Sequence, residues 1–127
     1  MLMRVSEMLM RVSDELSEIR TGWAFFENLV GLKGRKFYGL VDAVRGEYLV
    51  STRISSADPP DRFGLEVGEL AAGTYLRIRL HGVPPALYDE IPDGFVRLHD
   101  YAPADPERHD VEFYRRRDEV ELWMPVI

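Results

Sequence analysis

Apolar residues recur at spacings of three and four from Met8 to Val30. Leu9, Val12, Leu16, Ile19, Trp23, Phe26 and Val30 fall on one stripe, the pattern of an amphipathic helix. Gly31 and Gly34 follow as stop signals. The period then changes to two. Residues 35–44 and 47–54 read as strands joined across Arg45-Gly46, a hairpin. The polar, proline-bearing run from Ser55 to Asp61 interrupts the pattern and divides the chain into halves. Leu65–Leu70 and Thr74–Gly82 predict two more strands, separated by Ala71-Ala72-Gly73. In the second, Tyr75, Arg77 and Arg79 share one face while Leu76, Ile78 and Leu80 share the other, so one face is core. Pro84-Pro85 opens a helix with apolar positions Leu87, Ile91, Phe95 and Leu98 that runs to Tyr101, disturbed at Pro92 and Gly94. A loop over 102–108 leads to two closing strands, VEFYRRR and EVELWMPVI, joined at Arg117-Asp118.

The first half thus reads helix, strand, strand, and the second strand, strand, helix, strand, strand. Each contains a helix followed by a hairpin, which predicts an α+β fold built from a duplicated unit. LMRVS occurs twice near the start, seven positions apart. Two heptads fall short of the three or four a coiled coil needs, so the repeat is read as apolar contacts of a first helix, with a homodimer through it as the alternative.

The 127 residues and 46% hydrophobic content suit a single domain over the whole chain. A net charge of -6 and a pI near 5.1 argue against direct nucleic-acid binding, which needs a cationic surface. The absence of cysteine excludes disulfides, thiolate metal sites and cysteine nucleophiles, and fits the cytoplasm. No apolar run reaches the length of a membrane span, and Arg4, Glu7 and Arg11 interrupt any signal-like segment. A soluble, unprocessed chain is expected. His81, His99 and His109 are far apart without metal-ligand pairing, GLKGRK lacks the P-loop ending, and HDYAPADPERHD lacks calcium-loop spacing. No metal or cofactor is expected.

The closing strand carries the candidate chemistry. Glu119, Glu121, Trp123 and Pro125 share one face, with Val120, Leu122 and Met124 on the other. A carboxylate beside an indole suits an organic cation, through charge and ring quadrupole together. The competing reading pairs Glu121 with an arginine of the run Arg115–Arg117.

GLKGRKFYG (Gly31 to Gly39), GLEVGELAAGTYLRIRLHG (Gly64 to Gly82), VEFYRRR (Val111 to Arg117) and EVELWMPV (Glu119 to Val126) resemble the GyrI-like small-molecule-binding family. That family is related to the effector-binding domains of bacterial multidrug-responsive transcription activators. The resemblance spans about Trp23 to the C-terminus and leaves residues 1–22 as a divergent N-terminal helix. It implies two pseudo-symmetric β-α-β-β repeats forming a groove for large, flat, lipophilic and often cationic compounds. The leading strand of that plan is not evident: either it is lost, or the helix replaces it, or MLMRVS is a shortened version. By the match the pocket glutamate is Glu121, lined by Trp123, Tyr38, Tyr75 and Tyr114, with Phe37 and Trp23 taking their places if the face slips by one residue. The implied function is drug or xenobiotic sensing or sequestration in a bacterial cytoplasm, with a small molecule as partner. Some members are reported as hydrolases of cyclopropane-bearing genotoxins, for which Glu121 is the base and Tyr75 or Tyr114 the donor. A third reading is a gyrase-modulating interaction module. With no room for a DNA-binding domain, any part in transcription regulation runs through a protein partner or through sequestering a drug.

Overall fold

The computed structural model describes residues 2–15, 36–42, 46–53 and 66–127. Its strands are β1 (Leu2–Glu15), β2 (Phe37–Asp42), β3 (Glu47–Arg53), β4 (Glu66–His81), β5 (Asp110–Arg116) and β6 (Glu119–Pro125). Two helical pieces, α1 (Ala86–Asp89) and α2 (Ile91–Tyr101), connect β4 to β5. Every pairing is antiparallel, and the order β1-β3-β2-β5-β6-β4 closes into a barrel because β1 also pairs with β4. The fold is α+β. Exchanging β1, β2 and β3 with β4, β5 and β6 reverses this order onto itself.

The hairpins β2–β3 and β5–β6 form where the alternating pattern places them. The start of the chain differs. Residues 8–15, expected in a helix, lie in β1, so a leading strand is present and is long. Within this span only Leu9 and Val12 belong to the helical stripe, whereas the extended backbone pairs with β4 over Leu2–Arg11 and with β3 over Leu9–Glu15. Ladder bonds to two neighbours outweigh so short a stripe. The remainder of the expected helix, Trp23 included, lies outside the described residues, as does the loop from Ser55 to Asp61.

The two strands expected on either side of Ala71-Ala72-Gly73 are one strand. Between Val5 and Glu7 the register with β4 moves from Gly73 to Leu70, so β4 carries one extra residue there. Gly73 takes φ +147, which an L side chain rarely adopts. The extra residue reverses side-chain parity. Leu70 and Tyr75, an odd number of positions apart, accordingly join the same buried cluster.

The inward-facing cluster contains Tyr38, Leu40, Leu49, Leu70, Tyr75, Val111 and Trp123, with Phe113 packed against it. On the outer face of β4 and β6, Leu80, Val120, Leu122 and Met124 meet Leu87, Ile91 and Leu98 of the helices. Strand β6 is therefore buried along its whole length. The helix break falls at Glu90, and Pro92 sits in the first turn of α2, where its missing N–H costs no hydrogen bond. Arg108 fastens one end of the barrel: Nε donates to Asp105 Oδ2 (2.9 Å), Nη2 donates to Val126 O (2.7 Å) and Thr74 O (3.3 Å), and the guanidinium lies 5.0 Å over the Tyr75 ring. No helix among the described residues is long and apolar enough to cross a membrane.

Candidate functional site

Glu121 sits on the inward face with Trp123, as the period-two pattern predicts, and is 3% exposed. Its Oε1 accepts from Trp123 Nε1 at 3.1 Å and from Arg77 Nη1 at 3.4 Å. Its Oε2 lies 3.4 Å from Arg79 Nε and 3.7 Å from Arg115 Nη1. Three guanidiniums thus surround this carboxylate, one of them from the arginine run on β5. Glu119 is held in the same manner, near Arg115 Nη1 (3.3 Å) and His81 Nε2 (3.4 Å). A ligand cation at Glu121 would meet arginines before it met uncompensated negative charge.

Of the aromatic residues expected beside Glu121, Trp123, Tyr38 and Tyr75 are buried in the inward cluster. The Trp123 ring centroid lies 5.3 Å from Phe113, 5.9 Å from Tyr38 and 6.1 Å from Tyr75, so neighbouring rings already surround the indole. Tyr38 also stacks on Phe113 at 4.9 Å. Tyr75 donates its hydroxyl to Ala71 O (2.6 Å), bridging the irregular stretch of β4. Burial pushes the Tyr75 phenol up, although the Arg108 guanidinium opposes the shift. Tyr38 and Tyr75 share the face of Glu121; Tyr114 does not. It lies on the opposite face, as does its cross-strand partner Phe37.

That opposite face holds a second buried carboxylate. Glu112 alternates with Val111 and Phe113 on β5 and therefore points outward from the barrel. Its Oε1 accepts two phenolic hydroxyls, from Tyr48 on β3 at 2.6 Å and from Tyr114 at 2.5 Å. Gly39 on β2 lies opposite Glu112 and between these strands. A Cβ there would overlap the Tyr48 hydroxyl and come within 2.8 Å of Glu112 Oε1, so the glycine opens the path for the Tyr48 bond. Tyr88, half exposed on α1, meets the Tyr114 ring edge-on at 5.9 Å. Among the described residues no ion pair reaches Glu112. Burial raises its carboxyl above the usual range, against the opposing effect of the two hydroxyls. Tyr114 is pushed up by its own burial and then by the adjacent Glu112.

A scan against family models finds no match, and no curated protein matches either. Solved structures do. SAV2435 bound to tetraphenylphosphonium aligns with all of this chain and 93% of its own, at TM-score 0.68 and 19% identity. An integron cassette protein from the mobile metagenome of Vibrio cholerae aligns over 100% and 95%, at TM-score 0.72 and 16% identity. A Staphylococcus aureus MU50 protein, a candidate bacterial transcription regulation protein, aligns over 99% and 96%, at TM-score 0.67 and 16% identity. These likenesses establish a shared fold.

The groups named for hydrolysis do not converge in this fold. Glu121 is occupied by arginines, the Tyr75 hydroxyl by a backbone carbonyl, and the Tyr114 hydroxyl by Glu112 on the other face. His99 pairs with Asp110 (2.7 Å) and His109 with Glu47 (3.1 Å), and no group of metal-ligating residues assembles among the described residues. Glu112 and Tyr48 escaped the sequence reading. Their signals were a glycine inside a strand, at Gly39, and a glutamate between two apolar residues in VEFYRRR.

Proposed function

We propose that this protein binds lipophilic organic cations, and that Glu112 rather than Glu121 is the carboxylate that meets them. One observation carries the reading: Glu112 is a buried carboxylate held by two phenols, with no cationic partner among the described residues. Such a group is costly to ionise in an apolar setting, and a cation that sheds its water cheaply offsets that cost. Tyr88, exposed on α1 and edge-on to Tyr114, and Phe37, the cross-strand partner of Tyr114, supply rings nearby, suited to the aryl groups of such a ligand. Glu121, already compensated, has a structural part in this reading.

The fold shared with a protein bound to tetraphenylphosphonium supports a small-molecule ligand of this class. The sequence resemblance to GyrI-like domains points the same way, toward drug or xenobiotic sensing or sequestration. The strand order, which maps onto itself when the halves are exchanged, supports a single unit built from two β-α-β-β repeats.

Calorimetric titration with tetraphenylphosphonium and with neutral triphenylphosphine oxide tests the reading. Saturable binding of the cation, at least about tenfold tighter than the neutral compound, is the expected result. Equal affinities would remove the role given to the carboxylate.

A further inference from the structure

Among the described residues, the second half of β4 pairs with a strand on one side only. Its register with β6 runs from Tyr75 opposite Pro125 to His81 opposite Glu119, whereas the described pairing with β1 ends at Leu2 opposite Leu76. Two hydrogen bonds fix the direction of the backbone there: Val126 N–H donates to Thr74 O, and Gly82 N–H to Asp118 O. By the alternation of an antiparallel ladder, the even-numbered residues 74–82 turn both backbone groups toward β6. Arg79 and His81 turn theirs outward, and among the described residues no strand pairs with those groups.

Beside this edge, α2 and β4 enclose a groove of about 360 Å³ lined by Leu76, Arg77, Ile78, Arg97, Leu98 and Tyr101. Leu76, Ile78 and Leu98 supply its aliphatic surface. Tyr101 is 80% exposed, and Arg97 is exposed with no ion pair among the described residues. An outward-facing row of backbone donors and acceptors thus runs next to an apolar slot with a cationic rim.

We infer that this edge takes an extended segment of a partner protein, which adds to β4 as a further strand, seats an apolar side chain in the groove and sets a carboxylate against Arg97. Strand addition uses the outward backbone groups of Arg79 and His81 for affinity, while the slot and Arg97 select sequence. Arg97 makes an acidic partner segment the complementary one. A second copy of the chain fits poorly, because antiparallel self-pairing centred on Arg79 would place Arg79 opposite itself. This surface is separate from Glu112 and does not rest on cation binding.

The test uses the full chain and capped peptides of about eight residues, the length of an ordinary strand, alternating glutamate with leucine, valine or tyrosine. Affinity is read by fluorescence anisotropy and contact by amide hydrogen exchange. Binding should slow exchange at Arg79 and His81 by at least about tenfold. It should weaken at least about fivefold in Arg97→Glu, and be lost when proline replaces a central apolar residue of the peptide. Arg97 is exposed, so this variant should keep the fold. Absence of binding across the panel, protection elsewhere, indifference to proline, or equal binding of lysine-leucine peptides would overturn the inference. So would protection of the same amides that grows with protein concentration without peptide, which would mark self-association.

Discussion

Glu112 and Glu121 lie on adjacent strands and face opposite sides of the sheet, one toward two phenols and the other toward three guanidiniums. The same substitution should therefore have different effects. Because the folded pKa of Glu112 is raised, its favourable contribution is complete below the unfolded value of about 4.3 and is lost as pH rises through the folded value. Glu112→Gln removes that loss. Unfolding curves across pH should show the variant more stable than wild type at neutral pH, with the difference shrinking toward pH 4; a constant difference would contradict the assignment. Glu121→Gln removes the charge that Arg77, Arg79 and Arg115 share and should lower stability by about 2 kcal/mol, with the partly exposed partners moderating the cost. Gly39→Ala forces a methyl into the Tyr48–Glu112 contact, and chemical denaturation should show a loss of about 2–4 kcal/mol. Adding Tyr48→Phe should restore part of it, since the nearest overlapping atom is gone while Cζ, 2.6 Å from the added methyl, remains; strict additivity of the two losses would show that the contact is not shared.

At the scale of elements, the sequence reveals those whose periodicity has one dominant reading. Both hairpins and the helix ending at Tyr101 fall within a residue or two of the pattern. Strand β1 was hidden because LMRVSEMLMRVSDE has no clean alternation, and its ladder partners, β3 and β4, lie far along the chain. Ala71-Ala72-Gly73 carries turn composition, yet a single extra residue in a continuous ladder uses glycine for the same conformational reason as a turn. The site was only partly legible. Alternation placed Glu121, Trp123 and Tyr75 on one face, but not whether arginines from three neighbouring positions would converge on Glu121. The importance of Glu112 comes from Tyr48, distant in sequence and brought near by the β3–β2–β5 order. Arg108 joins β4, the residue after β6 and the loop between α2 and β5 by side-chain contacts that sequence spacing cannot show. Arg108→Met should cost about 2 kcal/mol in urea unfolding, through lost bonds to Val126 O and Thr74 O and the lost contact with Tyr75. Unchanged stability would mean that the barrel end is held without it.

For the molecule as a whole, a net charge of -6 draws cations toward the surface, and in the proposed reading discrimination among them falls to Glu112, which has no cationic partner among the described residues. The interior of the closed barrel is filled by Trp123 and its neighbours, and the proposed cation site at Glu112 lies on the outer face. The most direct test is the affinity of tetraphenylphosphonium for wild type, Glu112→Gln and Glu121→Gln at pH 8, measured by calorimetry on folded protein. Glu112→Gln should weaken binding at least about tenfold while Glu121→Gln stays within about threefold of wild type. Wild-type affinity in Glu112→Gln, or loss of binding in a folded Glu121→Gln, would contradict the role given to Glu112.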